Sequence, residues 1–148
     1  RQRRGHALHL RQRRLPHLDA ARQRDQRHGA QPPHREIEKT ALGATQSIEW
    51  AYSEDVCDAI NELKSDGYTI IAIEQAENST MLNDYLPDNS MKYALIFGNE
   101  VNGVSDEAMK LIDTCIEIPQ FGTKHSFNIV VSAGIVLWDF FAKLKLNS

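Results

Sequence analysis

From residue 47 onward, apolar residues come in short blocks whose spacing alternates between two periods. "SIEWAYS" reads as a short strand. In "SEDVCDAINELKSDGY", Val56, Ile60 and Leu63 recur at helical spacing behind a serine-or-aspartate start, and Gly67 supplies a stop. "YTIIAIEQ" is a strand rich in β-branched residues, and "NSTMLNDYLPDNS" is a loop or short helix ending in turn residues. "KYALIFG" predicts the next strand. "SDEAMKLIDT" predicts a helix capped by Ser105 with Glu107 in its first turn, and "CIEIPQ" a strand stopped by Pro119. The last block, "SFNIVVSAGIVLWDFFAKLKL", predicts a long helix. Its expected buried side is Ile129, Val130, Ala133, Val136, Leu137, Phe140, Phe141 and Leu144.

Strands alternating with helices argue an α/β fold, a parallel sheet flanked by helices. Ligands of such sheets bind beyond the carboxyl ends of the strands. Three ends therefore matter: "IEQAENS", "FGNEVNG" and "IPQFGTKHS".

Composition divides the 148 residues in two. All ten arginines fall by residue 35, which leaves the first 35 residues at +8; after them seven lysines face eighteen acidic residues, a balance of −11. Residues 1–31 use only Arg, Gln, Gly, His, Ala, Leu, Pro and Asp, too little apolar variety to offset the ordering of the chain. They are expected to form an aberrant or disordered arginine-rich segment, and Pro32-Pro33 marks the seam to a domain over 32–148. The basic start lacks the apolar middle of a secretory signal, and no apolar run approaches the roughly 20 residues needed to cross a bilayer. Cys57 and Cys115 are unclustered, which fits a reducing compartment, and both read as small core residues.

Candidate chemistry gathers at the strand ends. Gly98 and Gly103 permit unusual backbone and let a ligand lie against it, and Glu100 could fix a cation, a ribose hydroxyl or an arginine. Ordinary turn chemistry explains the same residues. Ser126 and Asn128 stand at the first turn of the last helix, where free N–H groups favour polar ligands; the plainer reading makes Ser126 a cap. His125 is a candidate base or a surface residue. No metal-ligand cluster, P-loop or GxGxxG occurs in the sequence.

"ALIFGNEVNGVS" followed by "IEIPQFGTKHSFNIVVSAGIVLWDF" resembles motifs 2 and 3 of the SpoU/TrmH-type RNA 2′-O-methyltransferases of the SPOUT superfamily. "PPHREIEKTALGATQSIEW" and "GYTIIAIEQ" are similar to the family's connecting regions, so the resemblance covers residues 32–146. It implies a parallel sheet with a C-terminal deep trefoil knot, S-adenosyl-L-methionine as cofactor, tRNA or rRNA as partner, a homodimer, and a cytoplasmic setting without membrane or metal. The cofactor would be held by Ile73, Glu74, Gly98, Asn99, Gly103, Ile118, Gln120, Ser126 and Phe127, the bare backbone of Gly98 making room for it. Glu100, Ser126 and Asn128 would support the reaction at the ribose 2′-hydroxyl. A noncatalytic RNA-binding or dimerisation module that keeps the knot is the alternative.

The family's motif 1, an Asn-x-Gly followed by the arginine that acts on the 2′-hydroxyl, does not occur in residues 1–31. Arg35 belongs to the connector. Codons for Gln2–His6 shifted by one base can spell Asn-Val-Gly-Ala, so the segment is expected to be motif 1 read out of frame, with catalysis impaired.

Overall fold

The computed structural model describes residues 53–99, 101–121 and 127–146. The segment 1–31, the connector to Trp50, all but Ser53 of the strand expected at 47–53, Glu100 and the stretch Gly122–Ser126 lie outside the described residues.

Helix α1, Val56–Ser65, buries Ile60 and Leu63 and leaves its other faces polar. Asp55 caps it, its carboxylate accepting from the Cys57 N–H at 2.7 Å. Gly67, at φ 79°, takes the left-handed turn that ends it. Strand β1, Tyr68–Ile73, follows, with Ile70 to Ile73 buried on both faces. Such double burial belongs to the centre of a parallel sheet covered on both sides.

Strand β2 is only Thr80–Met81, inside the stretch expected to be loop or short helix. Strand β3, Lys92–Phe97, and strand β4, Thr114–Glu117, agree with expectation to within a residue or two. Between them, helix α2 is a single turn, Asp106–Met109, shorter than "SDEAMKLIDT" suggested. Its cap is the expected Ser105, whose hydroxyl accepts from the Ala108 N–H at 3.3 Å. The final helix α3, Ile129–Phe141, passes into a π-helical turn over Ala142–Leu146.

Among the described residues the sheet order is β2-β4-β1-β3, and each of its three strand pairings is parallel. Two apolar layers cover it. On one side Ile60 and Leu63 of α1 and Ala108 of α2 meet Ile70 and Ala94. On the other, Val136 and Phe140 of α3 meet Ile71, Ile73, Leu82, Ile116 and Ile118. Phe140 stacks on Tyr85 (centroids 5.7 Å apart) and meets the edge of Tyr93 at 5.6 Å.

The buried side of α3 is narrower than its sequence suggested. Val136 and Phe140 are buried, and Ile129, Ala133 and Leu144 are half-buried. Val130, Leu137 and Phe141, expected inside, are exposed, with Val131, Ile135 and Trp138 beside them. The helix is apolar on two faces, and only one meets the sheet.

Candidate functional site at the strand ends

The sheet register brings three strand ends to one edge. Ile73 stands opposite both Phe97 and Ile116, so Glu74, Gly98 and Ile118 leave the sheet from the same side. This is the edge at which parallel α/β sheets bind ligands.

The loop after β3 closes on itself. Asn99 and Gly103 exchange backbone hydrogen bonds of 3.0 and 2.8 Å, and the Val101 N–H donates to Asn99 Oδ1 at 2.9 Å. Gly103 holds φ at 65°, a conformation that favours glycine. A Cβ at Gly98 would run into the Gly103 carbonyl carbon and the Val104 nitrogen. The bare backbone expected to make room for a cofactor is thus required first by the loop's own return.

Glu74 lies one residue past the end of the central strand. Its N–H donates to the Ile116 carbonyl at 3.1 Å, and its carboxylate accepts from the N–H groups of Gln75 and Val104, each at 3.1 Å. The Glu74 carboxylate is therefore turned to the 98–104 loop. Five residues on, Ser79 donates its hydroxyl to Glu117 Oε2 at 2.8 Å, and the Leu82 N–H donates to the Glu117 carbonyl at 2.8 Å. These ties were invisible in the sequence. "IEQAENS" marked a strand end, but nothing local in it names partners some 30 to 40 residues away.

Beyond β4, Ile118 is buried, Gln120 half-buried and Phe121 fully exposed. Among the described residues no hydrogen bond uses the backbone of Ile118 or Gln120. Pro119 carries no N–H with which to continue strand pairing there. Cys115 is buried, burial pushes its thiol up from the ordinary value, and its S–H donates to the Glu74 carbonyl at 3.4 Å. Cys57 is shifted the same way, by burial and by Asp55. Neither has the lowered pKa of a nucleophile.

The candidates at the last helix stand differently. Asn128, not Ser126, is the N-cap of α3, and its Oδ1 accepts from the Val130 N–H at 2.9 Å. Phe127 is exposed. Among the described residues no hydrogen bond or ion pair joins Phe127 or Asn128 to the loop at 98–104. The structure thus brings Ile73, Glu74, Gly98, Asn99, Gly103 and Ile118 to one edge, Gln120 follows two residues after Ile118, and Glu100 and Ser126 lie outside the described residues.

A parallel α/β sheet whose strand ends meet a glycine-closed loop at one edge defines the α/β class in which ligands bind at that edge. A family model, the SpoU rRNA Methylase family, matches residues 24–138, and the chain belongs to that family. The match begins inside the arginine-rich segment. The tRNA (guanosine(18)-2′-O)-methyltransferase of Borreliella burgdorferi is 35% identical over 107 residues, covering 72% of this chain and 48% of the relative. A crystal structure of the Aquifex aeolicus TrmH/SpoU tRNA modifying enzyme superposes with a TM-score of 0.63 at 26% identity, covering 74% of this chain and 55% of that one. The AdoMet-bound rRNA methyltransferase from Sinorhizobium meliloti gives a TM-score of 0.54 at 27% identity, over 60% of this chain and 33% of that one. The chain spans about half or less of the length of these proteins.

Proposed function

We propose that this chain carries the cofactor-binding unit of an S-adenosyl-L-methionine-dependent RNA methyltransferase acting on a ribose 2′-hydroxyl of tRNA or rRNA in the cytoplasm. The observation that carries the reading is the set of strand ends at one edge, with the backbone of Ile118 and Gln120 unpaired there among the described residues. Adenine requires that kind of lining, in-plane donors and acceptors set among apolar groups. The loops at 98–103, 118–121 and 126–128 would hold the cofactor in a C-terminal trefoil knot, with Ile73 and Glu74 as the wall beneath. The bound cofactor supplies an electrophilic methyl group on a sulfonium. A ribose hydroxyl is a weak nucleophile, so the protein must align it and draw off its proton. Glu100, Ser126 and Asn128 are assigned to that support by family resemblance.

The homodimer belongs to the same proposal. The second apolar face of α3, where Val130 is 75% and Trp138 64% exposed, is the surface a partner copy would cover. RNA phosphates need cations, and the acidic balance after residue 35 points to the N-terminal part that would carry motif 1 as their source.

Calorimetry with S-adenosyl-L-methionine tests the pocket, and no binding at millimolar cofactor overturns the reading. Methyl transfer to bulk tRNA and rRNA tests the chemistry. The missing Asn-x-Gly…Arg motif favours a second reading, a noncatalytic module that keeps the fold. Cofactor binding without transfer supports that one. Turnover regained on grafting the motif restores the first.

A further inference from the structure

We propose that the connection from β1 to β2, residues 74–79, is a brace that sets both cofactor loops, and that Glu74 is its principal positioning residue. The inference rests on the methyltransferase reading above. Glu74 stands past the end of the one strand that pairs with both β3 and β4, the strands whose loops would form the pocket. Its backbone N–H binds Ile116 of β4, and its carboxylate binds the Val104 N–H beyond β3. One residue thereby ties the loop after β3 to strand β4, whose own loop starts two residues beyond Ile116.

The fit is close enough to constrain a neighbour. Glu74 Oε2 lies 2.5 Å from where a Cβ on Gly103 would sit. Glycine at 103 therefore serves both the positive φ and the approach of the carboxylate. The second tie is Ser79, whose hydroxyl holds Glu117 at 2.8 Å, one residue before Ile118. With both Glu74 oxygens engaged by backbone N–H groups, the side chain acts through the loop and not on the ligand. A carboxylate suits this place because it accepts two N–H groups at once and donates none.

The test combines cofactor titration with amide hydrogen exchange on the full chain. The wild type binds S-adenosyl-L-methionine. Glu74→Ala weakens binding about tenfold, the loss of one charge-assisted hydrogen bond converted to affinity. It speeds exchange at the Val104 amide while Ile71 in β1 stays protected. Glu74→Gln keeps an acceptor oxygen for Val104 and returns binding to within about threefold of wild type. Gly103→Ala also weakens binding, and Glu74→Ala/Gly103→Ala is no weaker than Gly103→Ala alone, because the clash has lost its partner.

Wild-type affinity in Glu74→Ala, or unchanged exchange at Val104, overturns the brace and leaves the methyltransferase reading intact. Absence of binding by the wild type overturns that reading, and the brace with it. If Glu74→Ala does not fold, Ser79→Ala decides: binding weakened about threefold or more supports the brace, and unchanged binding overturns it.

Discussion

The two sides of the sheet are covered by helices built on different plans. On the α1 side, Ile60 and Leu63 face inward with Val56 packed beside them, and the exposed positions of the helix, Asp58, Asn61, Glu62, Lys64 and Ser65, are all polar or charged. On the other side, α3 buries Val136 and Phe140 but carries a second apolar face roughly opposite. Lysine ties mark both sides. Lys64 reaches Asp113 at 2.9 Å where both are more than a third exposed. Lys143 reaches Asp139 at 2.7 Å and the Leu82 carbonyl at 2.6 Å in a more buried setting. A helix with one apolar face finishes a layer. One with two leaves a face to be covered, and the proposed homodimer would cover it with a second copy of the chain.

The most severe way to break the comparison is Phe140→Ala. It removes the ring held between Tyr85 and Tyr93 and is expected to cost about 3–5 kcal/mol in denaturant unfolding, against about 2–5 kcal/mol for Leu63→Ala on the α1 side. Trp138→Glu sharpens it. Sedimentation should show a shift from dimer to monomer, while the stability of the monomer changes by no more than about 0.5 kcal/mol. A dimer that survives this change removes α3's outer face from the interface.

Smaller effects follow at the helix starts. Asp55→Ala and Asn128→Ala should each lose about 1 kcal/mol, since each side chain accepts an otherwise unpaired N–H of the first turn. The smallest concerns acid. Partial burial raises the Asp113 carboxyl, but the Ile70 N–H at 2.7 Å and Lys64 outweigh it and hold the group below the usual range. The stability it adds is present above the ordinary carboxylate pKa and is lost as pH falls below it. Because the pair is exposed, that loss is about 0.5 kcal/mol or less, measured as the difference between wild type and Asp113→Asn in acid unfolding curves.

What the sequence disclosed follows the range of the forces involved. Helix α1 and strands β1 and β3 are set by neighbouring residues, and Val56, Ile60, Leu63 and the run from Ile70 to Ile73 announce them. Strand β2 was missed because two residues carry no period, and β4 alone makes them a strand. Helix α2 ends early for a tertiary reason: Asp113 must offer both its N–H and its carboxylate to Ile70, so the chain leaves the helix after Met109. Serine and asparagine cap equally well, so nothing local separated Ser126 from Asn128. The two faces of α3 are alike in chemistry, and only the packed sheet tells which lies inside. At the site, the glycines were legible as special positions. Their partners, Glu74 for Gly103 and the returning loop for Gly98, arise from chain meeting chain across the sheet edge.

The brevity of β2 has a consequence for solubility. A row of free amides along a sheet margin invites a neighbouring molecule to zip onto it and begin an aggregate. Among the described residues the β2 margin is two residues long, Thr80 and Met81, after which the Leu82 N–H turns back to Glu117, and it offers such a neighbour far fewer rungs than the six of the opposite margin, β3.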